Sequence, residues 1–359
     1  MCIRDSHCVS IINYQREITE KRRQRMKKFA GVLLAGVMAV GLTACGQSED
    51  TQKDTKETAA ETSGVTAKET ETPESITIKS LNANQEEVDL EVPYDPERIA
   101  VLDMASLDIL DNLDLGDRVV GSATTSLDYL TDYVDNDKVT NLGTIKEADM
   151  EAVMECDPDV IFIGGRLASS YDALSEIAPV VYLSTDSDLG VVKSVKKNAE
   201  TIASMFGLED EVQKKTEGFD ERIAALAEKA KGKTALVGMT TSGSFNLMGN
   251  DGRCSMIGVE VGFDNLTATE STSTHGNEAS FETVVEKNPD YIFVMDRDSA
   301  IGADGAQTAK EIMENELIMG TDAYKNGHLV YLEHPAVWYT AEGGITALDI
   351  MISDLEDSI

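Results

Sequence analysis

Basic residues are scarce in this chain. Its 359 residues include 31 lysines and arginines against 65 aspartates and glutamates, which gives a formal net charge of −34. Nucleic acids and anionic lipid surfaces carry dense negative charge, so a surface this acidic repels both. A small anionic ligand is still allowed, provided that a few cations converge at one place. We therefore expect no nucleic-acid partner.

Cysteine and histidine are also few, at five and four residues. Three of the cysteines lie before residue 46, and the other two, Cys156 and Cys254, are too far apart for a CxxC motif. A disulfide between these two would tie the halves of the chain together, and we favour separate buried thiols instead. Zinc or manganese sites usually need three or four His, Asp or Glu ligands together. Beyond residue 46 the histidines are His275, His328 and His334.

The motifs of several enzyme classes are missing. The chain contains no GxSxG elbow, no P-loop, no HExxH, and no GxGxxG after its first strand. An enzyme needs a nucleophile or an acid–base pair in its cleft, and no motif supplies one here. We expect the protein not to be an enzyme and to hold no intrinsic cofactor.

The N-terminal hydrophobic run is too short for a membrane-spanning helix. Residues 29–44 fall below the roughly 20 apolar residues that such a helix needs. The run follows Met26 and two lysines and ends in small residues, so residues 26–44 predict a signal peptide, with an uncleaved anchor as the alternative. Its end, Leu-Thr-Ala-Cys, resembles a bacterial lipobox, which implies that Cys45 is lipidated on the extracytoplasmic face of the cell membrane. We expect residues 1–25 to be spurious upstream translation.

The remaining chain can be divided by its composition and by its pattern of predicted strands and helices. Residues 45–75 are rich in Thr, Glu and Lys and have too little apolar surface to offset the entropy of ordering, so we predict a disordered acidic tether. Strand and helix patterns then alternate, which indicates an α/β fold with helices on both faces of each sheet. We predict an N-terminal lobe at 76–208, one long connecting helix at 209–231, and a C-terminal lobe with a closing helix at 232–359.

One segment is repeated. DMEAVMECDPDVIFIGGR at 149–166 matches SFETVVEKNPDYIFVMDR at 280–297 without a gap, and eight of the eighteen positions are identical. Each copy reads as a helix, a turn and a buried strand followed by an arginine. Open α/β sheets bind ligands beyond the carboxyl ends of their strands. The repeat therefore predicts that Arg166 and Arg297 face one cleft from opposite lobes and bind an anion.

Three loops supply further cleft candidates. Arg253 follows an Asn-Asp-Gly turn, and His275 lies on a long polar loop. Trp338, the single tryptophan, stands beside Tyr339 shortly before two glycines. Taken alone, each pattern is as typical of a solvated turn, an exposed histidine or a core aromatic as of a ligand site.

The run STHGNEASFETVVEKNPDYIFVMDR, with GGRLASSYDALSEIAP, AYKNGHLVYL and the Trp-Tyr pair followed by glycines, resembles a known family. This is the catecholate-siderophore branch of iron-uptake solute-binding proteins, the petrobactin- and enterochelin-type binding lipoproteins of ABC transporters. The resemblance covers roughly residues 76–357. It implies the class III periplasmic binding protein fold, in which two Rossmann-like lobes are joined by one long α-helix. It also implies capture of an anionic ferric catecholate complex and delivery to a permease with its ATPase.

The resemblance also assigns residues. The ligand-binding positions fall on three arginines, a histidine and a tyrosine: Arg166, Arg253, Arg297, His275 and Tyr339. We add Trp338 to the predicted ligand-binding residues as the immediate neighbour of Tyr339. In some members of the family the histidine and the tyrosine complete the coordination of iron when the siderophore supplies only four donors. The chemistry is consistent, because arginine donates planar hydrogen bonds to anionic oxygens and phenolate and imidazole suit ferric iron.

Two glutamates occupy matching positions in the repeat. Glu151 and Glu282 each lie seven residues before the proline of their unit, on the helix that leads into it. They resemble in placement the glutamates with which the wider family docks onto its permease, although a helix-surface glutamate is the simpler interpretation. Glu155 and Glu286 share the symmetry and are weaker candidates.

Other ligands of the same two-lobe fold stay open at this point. A cobalamin or haem binder and a zinc- or manganese-binding lipoprotein are the alternatives, and a purely structural surface lipoprotein is a third class. Paired arginines at equivalent strand ends favour an anionic ligand, so we prefer the ferric siderophore. We expect the protein to act as a monomer.

Overall fold

The computed structural model of the protein describes residues 73–359. The predicted upstream segment 1–25, the signal peptide 26–44, the lipidated Cys45 and nearly all of the tether lie outside the described residues. Within the described part, none of the helices combines the length and the apolar character that crossing a membrane requires.

Thirteen strands are present in residues 73–359, and we number them in chain order. They are β1 Ser75–Leu81, β2 Glu87–Pro93, β3 Ile99–Leu102, β4 Val119–Ser122, β5 Thr140–Asn141, β6 Val160–Ile163, β7 Val180–Tyr182, β8 Thr234–Thr241, β9 Ser244–Met248, β10 Asp264–Asn265, β11 Asn277–Glu278, β12 Tyr291–Asp296 and β13 Leu329–Tyr331.

The same residues form thirteen α-helices and four short 3₁₀ segments. The α-helices are α1 Met104–Asn112, α2 Met150–Glu155, α3 Tyr171–Ser175, α4 Val191–Ser204, α5 Glu209–Lys215, α6 Phe219–Ala230, α7 Ser255–Val259, α8 Phe281–Lys287, α9 Arg297–Ala300, α10 Ala309–Met313, α11 Asp322–Lys325, α12 Pro335–Thr340 and α13 Ile345–Ser358. The 3₁₀ segments are Gly116–Arg118, Asp128–Tyr133, Gly165–Ser170 and Ile318–Gly320.

The first large sheet is parallel throughout. Its strand order is β5-β4-β3-β6-β7. The three strands β3, β6 and β7 are apolar and buried along their whole length, as expected for a parallel sheet covered on both faces. The hairpin β1-β2 is attached beside β7, where the backbone N–H of Tyr182 donates to the Ser80 hydroxyl at 2.9 Å.

The second large sheet is mixed. Its order is β11-β9-β8-β12-β13, with β10 also paired to β8. β8, β12 and β13 run parallel, whereas the hairpin β8-β9 and the short pair β9-β11 are antiparallel. The α/β class is therefore confirmed, with one parallel and one mixed sheet.

The connecting segment departs from the single long helix that the sequence predicted at 209–231. Two helices, α5 and α6, occupy this stretch, and they are separated at Gly218. Gly218 has a φ of 87°, a left-handed conformation that interrupts a right-handed helix and that glycine adopts without steric cost. The longer helix α4 precedes them. Its first turn reaches the second sheet's side of the molecule, where the N–H of Val192 donates to Glu260 at 2.8 Å.

The closing helix α13 is anchored to the first sheet's side. Asp108 on α1 accepts hydrogen bonds from the backbone N–H groups of Thr346 and Ala347, each at 2.9 Å. These donors belong to the first turn of α13, which has no capping side chain of its own. Arg222 on α6 binds Glu356 on α13 at 2.7 Å. The last helix thus joins α1 and the connecting helices.

Candidate functional site

The two repeated segments form equivalent units. Helix α2 and strand β6 begin at Met150 and Val160, while α8 and β12 begin at Phe281 and Tyr291, so both pairs differ by the same 131 positions. Both strands lie inside their sheets: β6 lies between β3 and β7, and β12 lies between β8 and β13. The predicted structural repeat is therefore confirmed, and each unit ends next to an arginine.

The equivalence extends to the turns. In the first unit the Asp159 carboxylate accepts the backbone N–H of Arg98 at 2.9 Å, just before β3. In the second, the Asp290 carboxylate accepts the backbone N–H of Thr234 at 2.9 Å, at the start of β8. Each unit thus attaches its turn to the start of the neighbouring strand, so the strands of both units enter their sheets in the same way.

The three predicted arginines converge on one tyrosine. The guanidinium carbons of Arg166, Arg253 and Arg297 lie 5.3, 4.6 and 5.7 Å from the centre of the Tyr339 ring. Cations within about 6 Å of an aromatic ring are attracted to its electron-rich face. Arginines that follow strands of both sheets are therefore brought to one point.

Hydrogen bonds hold this cluster together. The Tyr339 carbonyl accepts from Arg166 Nη2 at 2.8 Å and from Arg253 Nε at 3.3 Å, and its hydroxyl accepts from Arg297 Nε at 3.4 Å. Each guanidinium keeps at least one nitrogen that forms no hydrogen bond within residues 73–359: Nε and Nη1 of Arg166, Nη2 of Arg253 and Nη2 of Arg297. Because the charges are not cancelled by these contacts, the cluster can bind an anion.

A carboxyl group lies behind each arginine. Asp298 pairs with Arg297, with Nη1 and Oδ1 2.9 Å apart. Burial raises the pKa of Asp103, and the charge of Arg166 acts against that rise. Burial likewise raises the pKa of Glu342 to about 7, although Arg253 acts to lower it. Asp298 thus offsets part of the charge of Arg297, whereas burial disfavours the charged forms of Asp103 and Glu342.

His275 lies beside Tyr339. Their ring centres are 6.4 Å apart and their planes differ by 24°. Partial burial and then the charges of Arg297 and Arg253 lower the pKa of His275, which favours the neutral imidazole that a metal needs. Burial raises the pKa of the Tyr339 phenol, but the hydrogen bond from Arg297 and the charge of Arg253 outweigh it, so the pKa lies below its usual range.

The Tyr339 side chain is covered in this structure. The residue is 3% exposed, and Arg297 covers its hydroxyl. For the phenol to contact a metal, the Arg297 guanidinium must first move. The histidine, by contrast, is exposed.

Trp338 does not belong to the cleft, so its prediction as a ligand-binding residue is wrong. The residue is 0% exposed, and its indole Nε1 donates to Asp354 at 2.8 Å. The cause is helix α12, in which neighbouring residues point about 100° apart. Tyr339 therefore faces the arginines while Trp338 packs toward α13.

Sequence reasoning missed one cation. Lys146 is exposed on the loop between β5 and α2, and its charge contributes to lowering the pKa of both His275 and Tyr339. It therefore lies within electrostatic reach of the cluster. The available signal was a lysine in an acidic stretch immediately before the first repeat unit.

A cavity of about 270 Å³ lies beside two of the three arginines. Arg166, Arg253 and Tyr339 line it, together with carboxyl-bearing residues that include Asp103 and Glu342. The lining combines segments that follow strands of the first sheet with the segment that follows β9 of the second sheet, and it includes neither Arg297 nor His275.

The other two histidines of the described residues lie outside the cluster. His328 stacks on Tyr291 with ring centres 4.1 Å apart, and His334 binds Asp354 at 2.7 Å. In residues 73–359, His, Cys, Asp and Glu side chains form no group of three or more that could hold a metal ion. Cys156 and Cys254 are separate buried thiols, as predicted.

The two docking candidates occupy matching sites. Glu151 lies in the first turn of α2 behind the capping residue Asp149, and Glu282 in the first turn of α8 behind Ser280. Both are exposed. The weaker candidates Glu155 and Glu286 are exposed on the same helices.

Two α/β sheets with a cluster of cations between them define a class of binding proteins, and the family comparison agrees. Residues 99–336 match the periplasmic binding protein family, so the chain belongs to that family. The fold is the class III periplasmic binding fold.

Particular relatives are siderophore-binding proteins. The chain is 36% identical over 340 residues to the petrobactin-binding protein YclQ of Bacillus subtilis, which covers 93% of this chain and 99% of YclQ. It is 29% identical to the ferric-anguibactin-binding protein FatB of Vibrio anguillarum, over 72% of this chain and 81% of FatB.

Solved structures give the same picture. The crystal structure of YclQ superimposes with a TM-score of 0.73, covering 80% of this chain and 99% of that one. The catecholate-siderophore-binding protein VctP of Vibrio cholerae superimposes with a TM-score of 0.72 at 29% identity, covering 79% of this chain and 100% of that one.

Proposed function

We propose that this protein is the substrate-binding component of an ABC importer for ferric siderophores and that it captures anionic ferric catecholate complexes. The observation that carries the proposal is the convergence of Arg166, Arg253 and Arg297 on Tyr339, each with an unbonded guanidinium nitrogen. Catecholate oxygens leave the ferric complex negatively charged, and charge-assisted hydrogen bonds from arginine suit them. The relatives that bind petrobactin, anguibactin and catecholate siderophores support the same ligand class.

Lys146 adds a fourth cation near this cluster. It lies on the first sheet's side, opposite the loop of His275. A complex that enters between the two sheets would meet positive charge on both sides, which raises the local concentration of an anion despite the acidic surface of the whole protein.

His275 and Tyr339 give the site a second function. When a siderophore supplies four of six donors, these two side chains would complete the coordination of the ferric ion. The neutral imidazole and the acidified phenol favour this role. Iron enters here as transported cargo and not as a resident cofactor.

Delivery to the permease would use the equivalent glutamates. Glu151 and Glu282 are exposed at the same position of each unit, where two basic pockets on a permease could bind them together. Reversing both charges should abolish siderophore-dependent growth while ferric complex binding stays unchanged. The same reversal at Glu155 and Glu286 is the matched control, and equal loss of growth there would contradict the assignment.

The cellular arrangement is proposed from the sequence. We infer that Cys45 carries a lipid anchor on the extracytoplasmic face, that the tether up to residue 75 connects it to lobes at 76–208 and 232–359, and that the protein is a non-enzymatic monomer. Gel filtration of residues 46–359 tests whether the protein is a monomer. Labelling of the full chain with a lipid precursor tests whether Cys45 is lipidated.

A ligand titration tests the central proposal. Trp338 is the single tryptophan and adjoins Tyr339 in the chain, so a ferric chromophore in the cleft should quench its fluorescence. The titrants are ferric tris- and bis-catecholates, a ferric hydroxamate, haem, cobalamin and zinc. Quenching at low concentrations of ferric catecholates, and by none of the other titrants, supports the proposal. Quenching by zinc or cobalamin in the absence of quenching by catecholates contradicts it.

A further inference from the structure

A carboxylate joins the two loops that carry Arg253 and His275. Asp251 lies two residues before Arg253, and Thr272 lies three residues before His275. The Asp251 carboxylate accepts a hydrogen bond from the backbone N–H of Thr272 at 3.0 Å and a second from its hydroxyl. The hydroxyl bond is the main cause that lowers the pKa of Asp251. One carboxylate thus links the loop of Arg253 to the loop of His275 through two hydrogen bonds.

Two other side chains, Arg253 and Asn246, also hold the loop of His275, and they do so through its backbone carbonyl groups. Arg253 Nη1 donates to the Thr274 carbonyl at 2.8 Å, and Asn246 Nδ2 donates to the His275 carbonyl at 2.8 Å. Arg253 is also one of the proposed ligand-binding cations, so an anionic complex competes for its donors. The contact between Asp251 and Thr272 does not depend on those donors and can persist while the ligand binds.

We propose that Asp251 is a positioning residue: through Thr272 it holds His275 beside Tyr339 and so sets the preference for ferric complexes that have open coordination positions. The inference rests on the proposed function. An iron with four siderophore donors gains from a histidine that is already in place, because less conformational freedom is lost on binding. An iron with six donors gains nothing from His275, and its complex depends on the cationic side chains instead.

The test compares two complexes and two variants. Asp251→Ala removes both bonds to Thr272, and Thr272→Val removes the hydroxyl bond alone. Asp304→Ala, at an exposed aspartate on a separate loop, is the matched control. Affinities for a ferric bis-catecholate and a ferric tris-catecholate are measured by Trp338 quenching, and thermal unfolding shows that each variant is folded.

Asp251→Ala should weaken the four-donor complex by roughly tenfold, the size expected for losing hydrogen bonds to a charged group. Thr272→Val should have a smaller effect in the same direction. The six-donor complex should keep its affinity within about twofold in all three variants. In a His275→Ala background, Asp251→Ala should have no further effect on the four-donor complex.

A spectroscopic readout separates positioning from general damage. Coordination by His275 and Tyr339 should shift the charge-transfer band of the bound four-donor complex, and Asp251→Ala should return the band toward that of the free complex. Equal weakening of both complexes, or an unchanged band and affinity, overturns the inference. If the proposed function is wrong, the unaltered protein will not bind the six-donor complex. That result would contradict the proposed function and, with it, the positioning role of Asp251.

Discussion

The two repeat units share a backbone plan but hold their arginines differently. Arg166 follows β6 within the 3₁₀ segment Gly165–Ser170, and its single hydrogen bond goes to the Tyr339 carbonyl. Arg297 begins α9 directly after β12, pairs with Asp298 and donates to the Tyr339 hydroxyl. The side chain of Arg297 is 17% exposed.

The surroundings of Arg166 and Arg297 shift their pKa values in opposite directions. Burial and then the charge of Arg253 lower the pKa of Arg166. Burial also acts against the charge of Arg297, but the contacts with Tyr339 and Asp298 outweigh it and raise the pKa. The duplicated fold supplies the position of the cation, and the local residues determine how much of its charge is free for a ligand.

Removing the arginines gives the largest expected effect. Arg166→Ala should weaken ferric tris-catecholate binding by roughly ten- to hundredfold, and Arg297→Ala by less than tenfold, because charge-assisted hydrogen bonds contribute about 1.5–3 kcal/mol and Asp298 already offsets Arg297. Quenching of Trp338 measures both, with Lys310→Ala as a surface control. Equal losses in the two variants would show that the difference in environment does not matter.

Changing Asp298, the partner of Arg297, should have a smaller effect, which is unfavourable for stability and favourable for anion binding. The buried Asp298 carboxylate accepts the backbone N–H of Ser242 and the hydroxyl of Thr241 besides binding Arg297. Asp298→Asn should lower the free energy of unfolding by about 1–3 kcal/mol and slightly strengthen binding of an anionic complex. Chemical denaturation and ligand titration check the two parts, with Asp304→Asn as control. Weaker anion binding in a folded variant would argue that Asp298 positions Arg297 more than it neutralises it.

The smallest effect concerns pH. Because burial raises the pKa of Glu342 to about 7, its carboxyl is neutral below that pH and becomes negative beside Arg253 above it. Affinity for a six-donor ferric complex should fall a few-fold as the pH rises through 7. The contribution of Glu342 to stability has the same sign, present below its ordinary pKa of 4.5 and lost as the pH rises toward 7.

Glu342→Gln is the control for this pH effect. The variant should bind with an affinity that changes less between pH 6 and pH 8, and the ratio to the unaltered protein cancels protonation of the free ligand. Parallel pH profiles would assign the dependence to another group.

The sequence predicted the units and their arginines because a helix–turn–strand repeat is local and its pattern survives in eight identical positions. It could not reveal how Arg166 and Arg297 differ in charge environment, since the pKa of Arg166 is lowered by burial and by the charge of Arg253, which comes from a distant segment. Trp338 was assigned to the cleft because adjacency in sequence was taken for adjacency in space. The break at Gly218 was missed because the charged pattern continues on both sides of it. The contact between Asp251 and Thr272 joins residues 21 positions apart, and no periodicity marks such a pair.

The most direct test of the arginine cluster is a crystal structure of residues 46–359 bound to a ferric tris-catecholate. We expect catecholate oxygens within hydrogen-bond distance of Arg166 Nη1, Arg253 Nη2 and Arg297 Nη2, between the ends of β6 and β12. A complex bound away from these three nitrogens, with the guanidinium groups still resting on Tyr339, would contradict it.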